Sequence, residues 1–188
     1  MKPAVHCVIM ASGFSRRFGG NKLLCPVEGI PLFRRTFSAL PAGLFAQGVV
    51  VSQYEEILRG AAENGYLTTL NTQAEEGIAA SLRLGLSAVM DGADGVLFAV
   101  CDQPYLTAES VQKLLEKFEE TPDKIVALSA ENRRGNPVIF PAEFFGELLS
   151  LTGDTGGSAV IKKHPHRLVT VEVPTRELED MDVNPSAQ

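Results

Sequence analysis

A glycine-rich loop with several basic side chains follows the first apolar segment of the chain. Its glycines are Gly13, Gly19 and Gly20, and its cations include Arg16 and Lys22. Glycine lets backbone N–H groups approach a ligand closely, while arginine and lysine offer forked and point-charge contacts to phosphate oxygens. The loop lacks the spacing of a P-loop and of a G-x-G-x-x-G dinucleotide motif. It therefore predicts a phosphate-binding site of another kind, and the alternative is a solvated turn.

A carboxylate stands directly after a second apolar segment. Asp102 follows residues 95–100 and is separated from Pro104 by a single residue. Hard oxygen ligands in ones and twos hold Mg²⁺ against substrate phosphates. Asp102 is therefore a candidate Mg²⁺ ligand. The alternative is a cap for the helix that begins near Thr107, although Thr107 can itself serve as that cap.

Two further segments give weaker indications. Gly77 and Ser81 stand at the start of an amphipathic helix, where unpaired N–H groups and a hydroxyl face one end. Ser81 alone is more typical of a helix surface than of a ligand contact. Near the end of the chain, Glu179, Asp180 and Asp182 place three acids within four positions. Most such runs are solvated.

Short apolar runs alternate with helical periods along the whole chain. Nearly continuous apolar strands indicate a sheet covered on both faces, and strands that alternate with helices indicate βαβ units. We therefore expect a three-layer α/β/α domain of the Rossmann-like kind with a mostly parallel sheet, spanning residues 1–188. Strands are predicted over residues 5–10, 48–52, 95–100, 124–129, 137–140 and 168–173, and helices over 32–40, 54–64, 78–89, 107–118, 142–151 and 158–163. Ligands of such sheets lie beyond the carboxyl ends of the strands, where the glycine-rich loop and Asp102 both fall.

Composition excludes several classes of protein. The chain has 188 residues, is 45% apolar and 21% charged, and carries a net charge of −6, which argues against a nucleic-acid groove. We expect no membrane span and, from three widely spaced cysteines without a C-x-x-C pair, a cytoplasmic protein without a disulfide framework. Lys2 and the loop cations make residues 1–27 purely basic, since the first acid is Glu28. Such a segment is consistent with a bound anion or with chance.

The ordered motifs resemble the MobA-like nucleotidyltransferase family, and within it the molybdenum cofactor cytidylyltransferases. Residues 10–23 match the family's opening pattern, which is roughly L-A-A-G-x-S-x-R-x-G-x-x-K-L. The likeness continues in order through Asn71, Gly77, Ser81 and residues 101–104, 134–140, 153–156 and 180–182. It covers nearly the whole chain.

The resemblance implies an enzyme that uses Mg²⁺ and a nucleoside triphosphate. By that likeness, the loop wraps base and triphosphate, Lys22 and Arg16 face the phosphates, and Asp102 with Asp182 holds Mg²⁺. The nucleotide-binding residues that the resemblance implies are Ala11, Ser12, Gly13, Arg16, Lys22, Asn71 and Ser81, while residues 135–137 would border the acceptor. The implied reaction is transfer of CMP from CTP to the terminal phosphate of molybdopterin, with release of pyrophosphate.

Three departures from the family pattern keep alternatives open. Ser12 replaces the Ala of cytidylyl-type members and the Gly of guanylyl-type members; its Cβ favours a smaller pyrimidine pocket and hence CTP. Asn136 stands where His is common, and Ser158 stands where Arg is expected. The alternatives are guanylyl transfer, nucleotidyl transfer to a sugar or alditol phosphate, and a non-catalytic protein that delivers the finished cofactor to a molybdenum hydroxylase.

Overall fold

The strands and helices are taken from a computed structural model that describes residues 2–15 and 20–181. The strands are β1 Val5–Met10, β2 Pro26–Val27, β3 Ile30–Pro31, β4 Gln47–Ser52, β5 Leu67–Leu70, β6 Gly95–Val100, β7 Ile125–Ala130, β8 Arg133–Pro141 and β9 Leu168–Glu172. The helices are α1 Leu32–Ala39, α2 Glu55–Glu63, α3 Ile78–Val89, α4 Ala108–Glu120, α5 Phe145–Leu149 and α6 Ser158–Lys163. Short 3₁₀ turns, among them Lys22–Leu24, Ala74–Glu76 and Thr175–Leu178, join these elements.

Seven of these strands form one sheet in the order β5-β4-β1-β6-β8-β7-β9. Its pairings are parallel, except that β8 runs antiparallel to both β6 and β7. Met10 of β1 lies opposite Val51 of β4 and Val100 of β6. Because these parallel strands end at the same level, the segments that follow them meet at one edge of the sheet.

Helices cover both faces of the sheet, as predicted for a three-layer α/β/α fold. On β1, Cys7 and Ile9 face a core shared with α1, α2 and α4, while Val8 faces a core shared with α3, α5 and α6. This alternation along one strand explains why the strand reads as continuously apolar, since both of its faces are buried. Within the described residues no helix is long and apolar enough to cross a membrane.

The structure also contains strands that the sequence did not predict. β5 is a short strand at the edge of the sheet, and its Leu67 and Leu70 are half exposed. Two threonines separate these leucines, so the segment has no continuous apolar run. β2 and β3 form a hairpin whose two-residue turn, Glu28 and Gly29, has positive φ at both positions. Asp or Asn before glycine is the usual indication of such a turn, and here Glu takes that place.

Candidate functional site

A cleft of about 590 Å³ opens at the edge of the sheet where β1 and β6 end. One wall is formed by Met10, residues 12–15, Lys22 and residues 100–102. The other wall is formed by residues between 74 and 81, together with Asp154. The glycine-rich loop and Asp102 therefore share one cleft, and its volume suits a small-molecule ligand.

An ion pair joins the two predicted charged residues across the first wall. The Nζ atom of Lys22 lies 2.8 Å from Oδ2 of Asp102, and the side chains are 16% and 24% exposed. Lys22 begins a 3₁₀ turn that Asn21 caps, because the Asn21 side chain accepts a hydrogen bond from the backbone of Leu23. The capped turn therefore holds the backbone of Lys22 in place beside Asp102.

Asp102 is held by its backbone as well as by its side chain. Its carbonyl accepts a 2.8 Å hydrogen bond from the N–H of Met181. It does not cap α4, since Thr107 is the N-cap and its hydroxyl accepts from the N–H of Ser110. The carboxylate of Asp102 is therefore available to the cleft.

The start of the loop is bound to β4. The N–H of Ala11 donates to the carbonyl of Val51 over 2.8 Å, and the hydroxyl of Ser52 donates to the carbonyl of Ala11 over 2.7 Å. Ala11 is buried, with 1% of its surface exposed. It lies behind the cleft surface and fixes the direction of the chain there.

Ser12 and Gly13 line the cleft, and β4 and its following residues hold both. The Ser12 hydroxyl donates to the Val51 carbonyl over 3.3 Å, and the Ser12 carbonyl accepts from the side-chain amide of Gln53 over 2.7 Å. The carbonyl of Gly13 accepts from the hydroxyl of Tyr54 over 2.9 Å. The loop is therefore pre-formed along this stretch.

Asn71 and Ser81 contact each other. The side-chain amide of Asn71 donates to the Ser81 hydroxyl over 2.9 Å, and its carbonyl oxygen accepts from the N–H of Gln73. Ser81 reaches the cleft wall, whereas Asn71 is buried behind it. Asn71 therefore orients the Ser81 hydroxyl through this hydrogen bond. Contact of either side chain with a nucleotide remains a prediction.

The second wall depends on a close approach of two backbone segments. The carbonyl of Gly153 accepts from the N–H of Ala79, in the first turn of α3. Gly77 has φ of +93° and ψ of −173°, a conformation that glycine adopts almost alone. A Cβ at Gly77 would lie 2.5 Å from Oδ1 of Asp154 and 2.6 Å from the Gly153 backbone. Because Gly77 has no Cβ, Asp154 can approach this closely and line the cleft.

Some cleft residues were given no role from the sequence. Glu75 and Asp154 line the cleft, and Asp154 was named only as part of the matched segment 153–156. Ile78 falls on the apolar face of α3 by its helical spacing from Leu82, yet it is 38% exposed and lines the cleft. At the first position of a helix a side chain can point past the end of the helix, which the helical period does not indicate.

The described part of the cleft is acidic. Among the lining residues that the structure describes, Lys22 is the one basic side chain, while Glu75, Asp102 and Asp154 are acidic. A triphosphate needs more positive charge than one lysine supplies. Arg16 lies outside the described residues, so its predicted phosphate contact stays a prediction.

The carboxylate oxygens of Asp102 are of the type that Mg²⁺ prefers as ligands. Mg²⁺ usually completes its coordination with waters and substrate phosphates. Among residues 2–15 and 20–181, no three His, Cys, Asp or Glu side chains form a group that could hold a metal. Asp182, the second predicted ligand, lies outside that part of the chain. Metal binding by Asp102 therefore stays a prediction.

Two other predicted features lie away from the cleft. Lys2 pairs with Glu119 over 3.0 Å and takes no part in the loop, so the basic character of residues 1–27 is not all directed at one site. Gly135 packs against Leu178, and residues 135–137 are not among the described residues that line the cleft. The acceptor side therefore remains a prediction.

The cysteine next to Asp102 lies in a buried environment that raises its pKa and so disfavours the thiolate. All three cysteines are free thiols, and Cys7 and Cys101 are buried. Burial raises the pKa of Cys101 to about 12, so the thiol stays protonated at neutral pH.

Comparison with known proteins identifies the family. Residues 7–168 match the MobA-like NTP transferase domain. The molybdenum cofactor guanylyltransferase of Cupriavidus metallidurans is 26% identical over 171 residues, 87% of this chain and 82% of that protein. The purine catabolism protein PucB of Bacillus subtilis is 26% identical over 170 residues, 85% of this chain and 82% of that protein.

The fold is shared with solved structures as well. The crystal structure of Rv0371c from Mycobacterium tuberculosis H37Rv superposes with a TM-score of 0.84 at 25% identity, over 97% of this chain and 94% of that chain. The order of the motifs, the mostly parallel sheet and the match over residues 7–168 agree with one another. The chain belongs to the MobA-like NTP transferase domain family and is a nucleotidyltransferase.

Proposed function

We propose that this chain transfers CMP from CTP to the terminal phosphate of a molybdopterin-type acceptor, with Mg²⁺ as the metal. The observation that carries the proposal is the 2.8 Å contact between Lys22 and Asp102 inside the cleft. It supports the proposal because it joins a candidate phosphate-binding cation to a candidate metal-binding carboxylate. The relative named as a molybdenum cofactor guanylyltransferase supports an acceptor of this class.

The reaction is an in-line displacement at the α-phosphorus of the nucleotide. An oxygen of the acceptor phosphate forms the new P–O bond, the bond from the α-phosphorus to the bridging oxygen breaks, and pyrophosphate leaves with that electron pair. Because a phosphate monoester is already anionic at pH 7, the attack needs no general base. Catalysis then consists of positioning and of neutralising charge.

Each charged residue has one part in this scheme. Asp102 would hold Mg²⁺, which when bound supplies charge neutralisation on the phosphates. Lys22 donates hydrogen bonds from Nζ to phosphate oxygens, and its fixed 3₁₀ turn limits the cost of orienting it. Lys22 and Asp102 are paired with each other in the structure. Nucleotide binding replaces that ion pair with contacts to the substrate.

Ser12 is the basis for preferring CTP. Its hydroxyl donates to the Val51 carbonyl, and the residue lines the cleft. By the family resemblance, a Cβ at this position, where guanylyl-type members carry glycine, favours the smaller pyrimidine base. The second candidate is guanylyl transfer, which the name of the relative from Cupriavidus metallidurans favours.

The test is pyrophosphate release by the purified chain with molybdopterin and CTP, GTP or ATP in turn, with Mg²⁺ or with excess chelator. We expect release with CTP at least tenfold faster than with GTP, a preference of the size that pocket shape alone supplies. Chelation should abolish it. Preference for GTP would establish the second candidate, and no release with any nucleotide would overturn both.

A further inference from the structure

The segment 174–181 passes behind Asp102 and is attached to it; we call it the C-terminal strap. We propose that Glu177 is a positioning residue, which locks the C-terminal strap to Thr107 and thereby fixes Asp102 for binding of the metal–nucleotide. The inference rests on the proposed function, because it takes Asp102 as the metal-binding carboxylate.

Glu177 is a buried carboxylate with a specific pair of donors. It is 9% exposed and lies in the 3₁₀ turn Thr175–Leu178. Its Oε2 accepts hydrogen bonds from the backbone N–H of Thr107 over 3.1 Å and from the Thr107 hydroxyl over 2.9 Å. Burial of a carboxylate is costly unless such donors compensate it, so the residue ties the C-terminal strap to one place.

Thr107 connects Glu177 to the segment that runs from Asp102 to the start of α4. Its hydroxyl donates to Glu177 and accepts from the N–H of Ser110, so it also caps α4. Since Thr107 already supplies the cap, the helix does not need Glu177 in order to begin. What Glu177 adds is a bond between two segments that are distant in sequence.

The C-terminal strap is hydrogen-bonded to both ends of the segment 102–107. At one end the N–H of Met181 donates to the Asp102 carbonyl over 2.8 Å, and at the other end Glu177 binds Thr107. Between them, the guanidinium of Arg176 stacks over the ring of Tyr105 at 3.9 Å. Asp102 is therefore held from behind by the strap and from the cleft side by Lys22.

Glu177 does not line the cleft, so we expect it to act on the metal–nucleotide through Asp102. Residues that orient a metal ligand without touching the metal typically change metal affinity by about 10- to 100-fold when they are lost. Removing Glu177 should therefore loosen Asp102 and weaken binding of the metal with the nucleotide. The rate at saturating metal should change little, because Lys22 and the loop remain.

The experiment compares Glu177→Ala and Glu177→Gln, with Glu179→Gln as the control. Glu179 lies on the same strap and is exposed, so this control removes an equal charge without a buried contact. Binding of Mn²⁺ in the presence of CTP is measured by the electron paramagnetic resonance of the unbound ion, and the Mg²⁺ midpoint is taken from pyrophosphate release. Thr107→Val, which removes the hydroxyl donor to Glu177 together with the side-chain cap of α4, provides a second variant if Glu177→Ala does not fold.

We expect the Mn²⁺ dissociation constant and the Mg²⁺ midpoint to rise about tenfold in Glu177→Ala, and less in Thr107→Val. Glu177→Gln keeps an acceptor oxygen and should stay within about threefold, while Glu179→Gln should match the wild type. A lowered melting temperature with an unchanged Mn²⁺ constant would show a merely structural role and overturn the inference. Wild-type protein that binds Mn²⁺ with CTP but releases no pyrophosphate would overturn the proposed function alone, and absence of that binding would overturn both.

Discussion

The two walls of the cleft are built by different means. The first wall presents charged side chains, Lys22 and Asp102, on a backbone that β4 and the C-terminal strap hold in place. The second wall depends on backbone shape, because the positive φ of Gly77 admits the segment that carries Asp154. Substitutions in the first wall should therefore reduce chemistry in a folded protein, whereas substitutions in the second wall should reduce stability first.

The largest effect is expected from Asp102→Ala, in the first wall. Loss of the carboxylate removes the metal ligand and leaves Lys22 without its partner, so pyrophosphate release should fall about 10³-fold or more. Because Asp102 is partly exposed and does not cap α4, circular dichroism should show an unchanged fold. Release close to the wild-type rate would remove Asp102 from the mechanism.

The second largest loss of activity is expected from Lys22→Met, also in the first wall. Removing one charge-stabilising donor costs about 2 to 4 kcal/mol in the transition state, which corresponds to roughly 30- to 1,000-fold in kcat/KM. Lys22→Arg, which keeps the charge but changes its shape, is the matched control and should lose less. Equal losses in both variants would show that geometry rather than charge is what this position supplies.

Gly77→Ala probes the second wall. The alanine would be forced into a region that glycine occupies almost alone and would press against Gly153 and Asp154, so the free energy of unfolding should fall by about 3 kcal/mol or more. For a chain of this length the melting temperature should drop by roughly 6 to 12 °C.

Gly92 provides the control for that substitution. It also has a positive φ, of +75°, but a Cβ there would meet no atom within 4 Å. Gly92→Ala should therefore cost only the backbone strain of about 1 to 2 kcal/mol. Equal losses at Gly77 and Gly92 would show that the contact with the Asp154 segment contributes nothing.

The smallest effect is expected at Ser12. Ser12→Ala keeps the Cβ and should leave the preference for CTP within about threefold, while Ser12→Gly should raise relative use of GTP by about 10-fold, as one group in a pocket typically does. The ratio of kcat/KM for the two nucleotides is the measurement. A ratio that responds to neither substitution would show that the base is selected elsewhere.

The sequence predicted the first wall well because its residues follow strand ends. Parallel strands that end at one level bring their following segments together, so Lys22 and Asp102 could be placed in one cleft without knowing any contact. Ser81 was placed near it by the family resemblance, because its position at the start of α3 is by itself more typical of a helix surface. The ion pair itself could not be predicted, since side-chain contacts between distant segments depend on the folded geometry.

In the second wall Ser81 was among the predicted site residues, but the position of Asp154 and the contacts of the C-terminal strap were not predicted. Asp154 reaches the cleft only because Gly77 and Gly153 pack together, and no local pattern indicates a contact between segments so far apart in sequence. Glu177 reads as an ordinary surface acid until Thr107 is known to lie beside it. β5 was missed for a related reason, because its place at the sheet edge exposes the leucines that would otherwise mark a strand.

The most direct measurement is a crystal structure of the chain with Mn²⁺ and a CTP analogue that cannot be cleaved at the α-phosphorus. Anomalous scattering should place Mn²⁺ against the Asp102 carboxylate, and Nζ of Lys22 should have moved from Asp102 Oδ2 to a phosphate oxygen. If the nucleotide lay outside the cleft, or the Lys22–Asp102 ion pair stayed intact with the metal bound elsewhere, the account of this site would be contradicted.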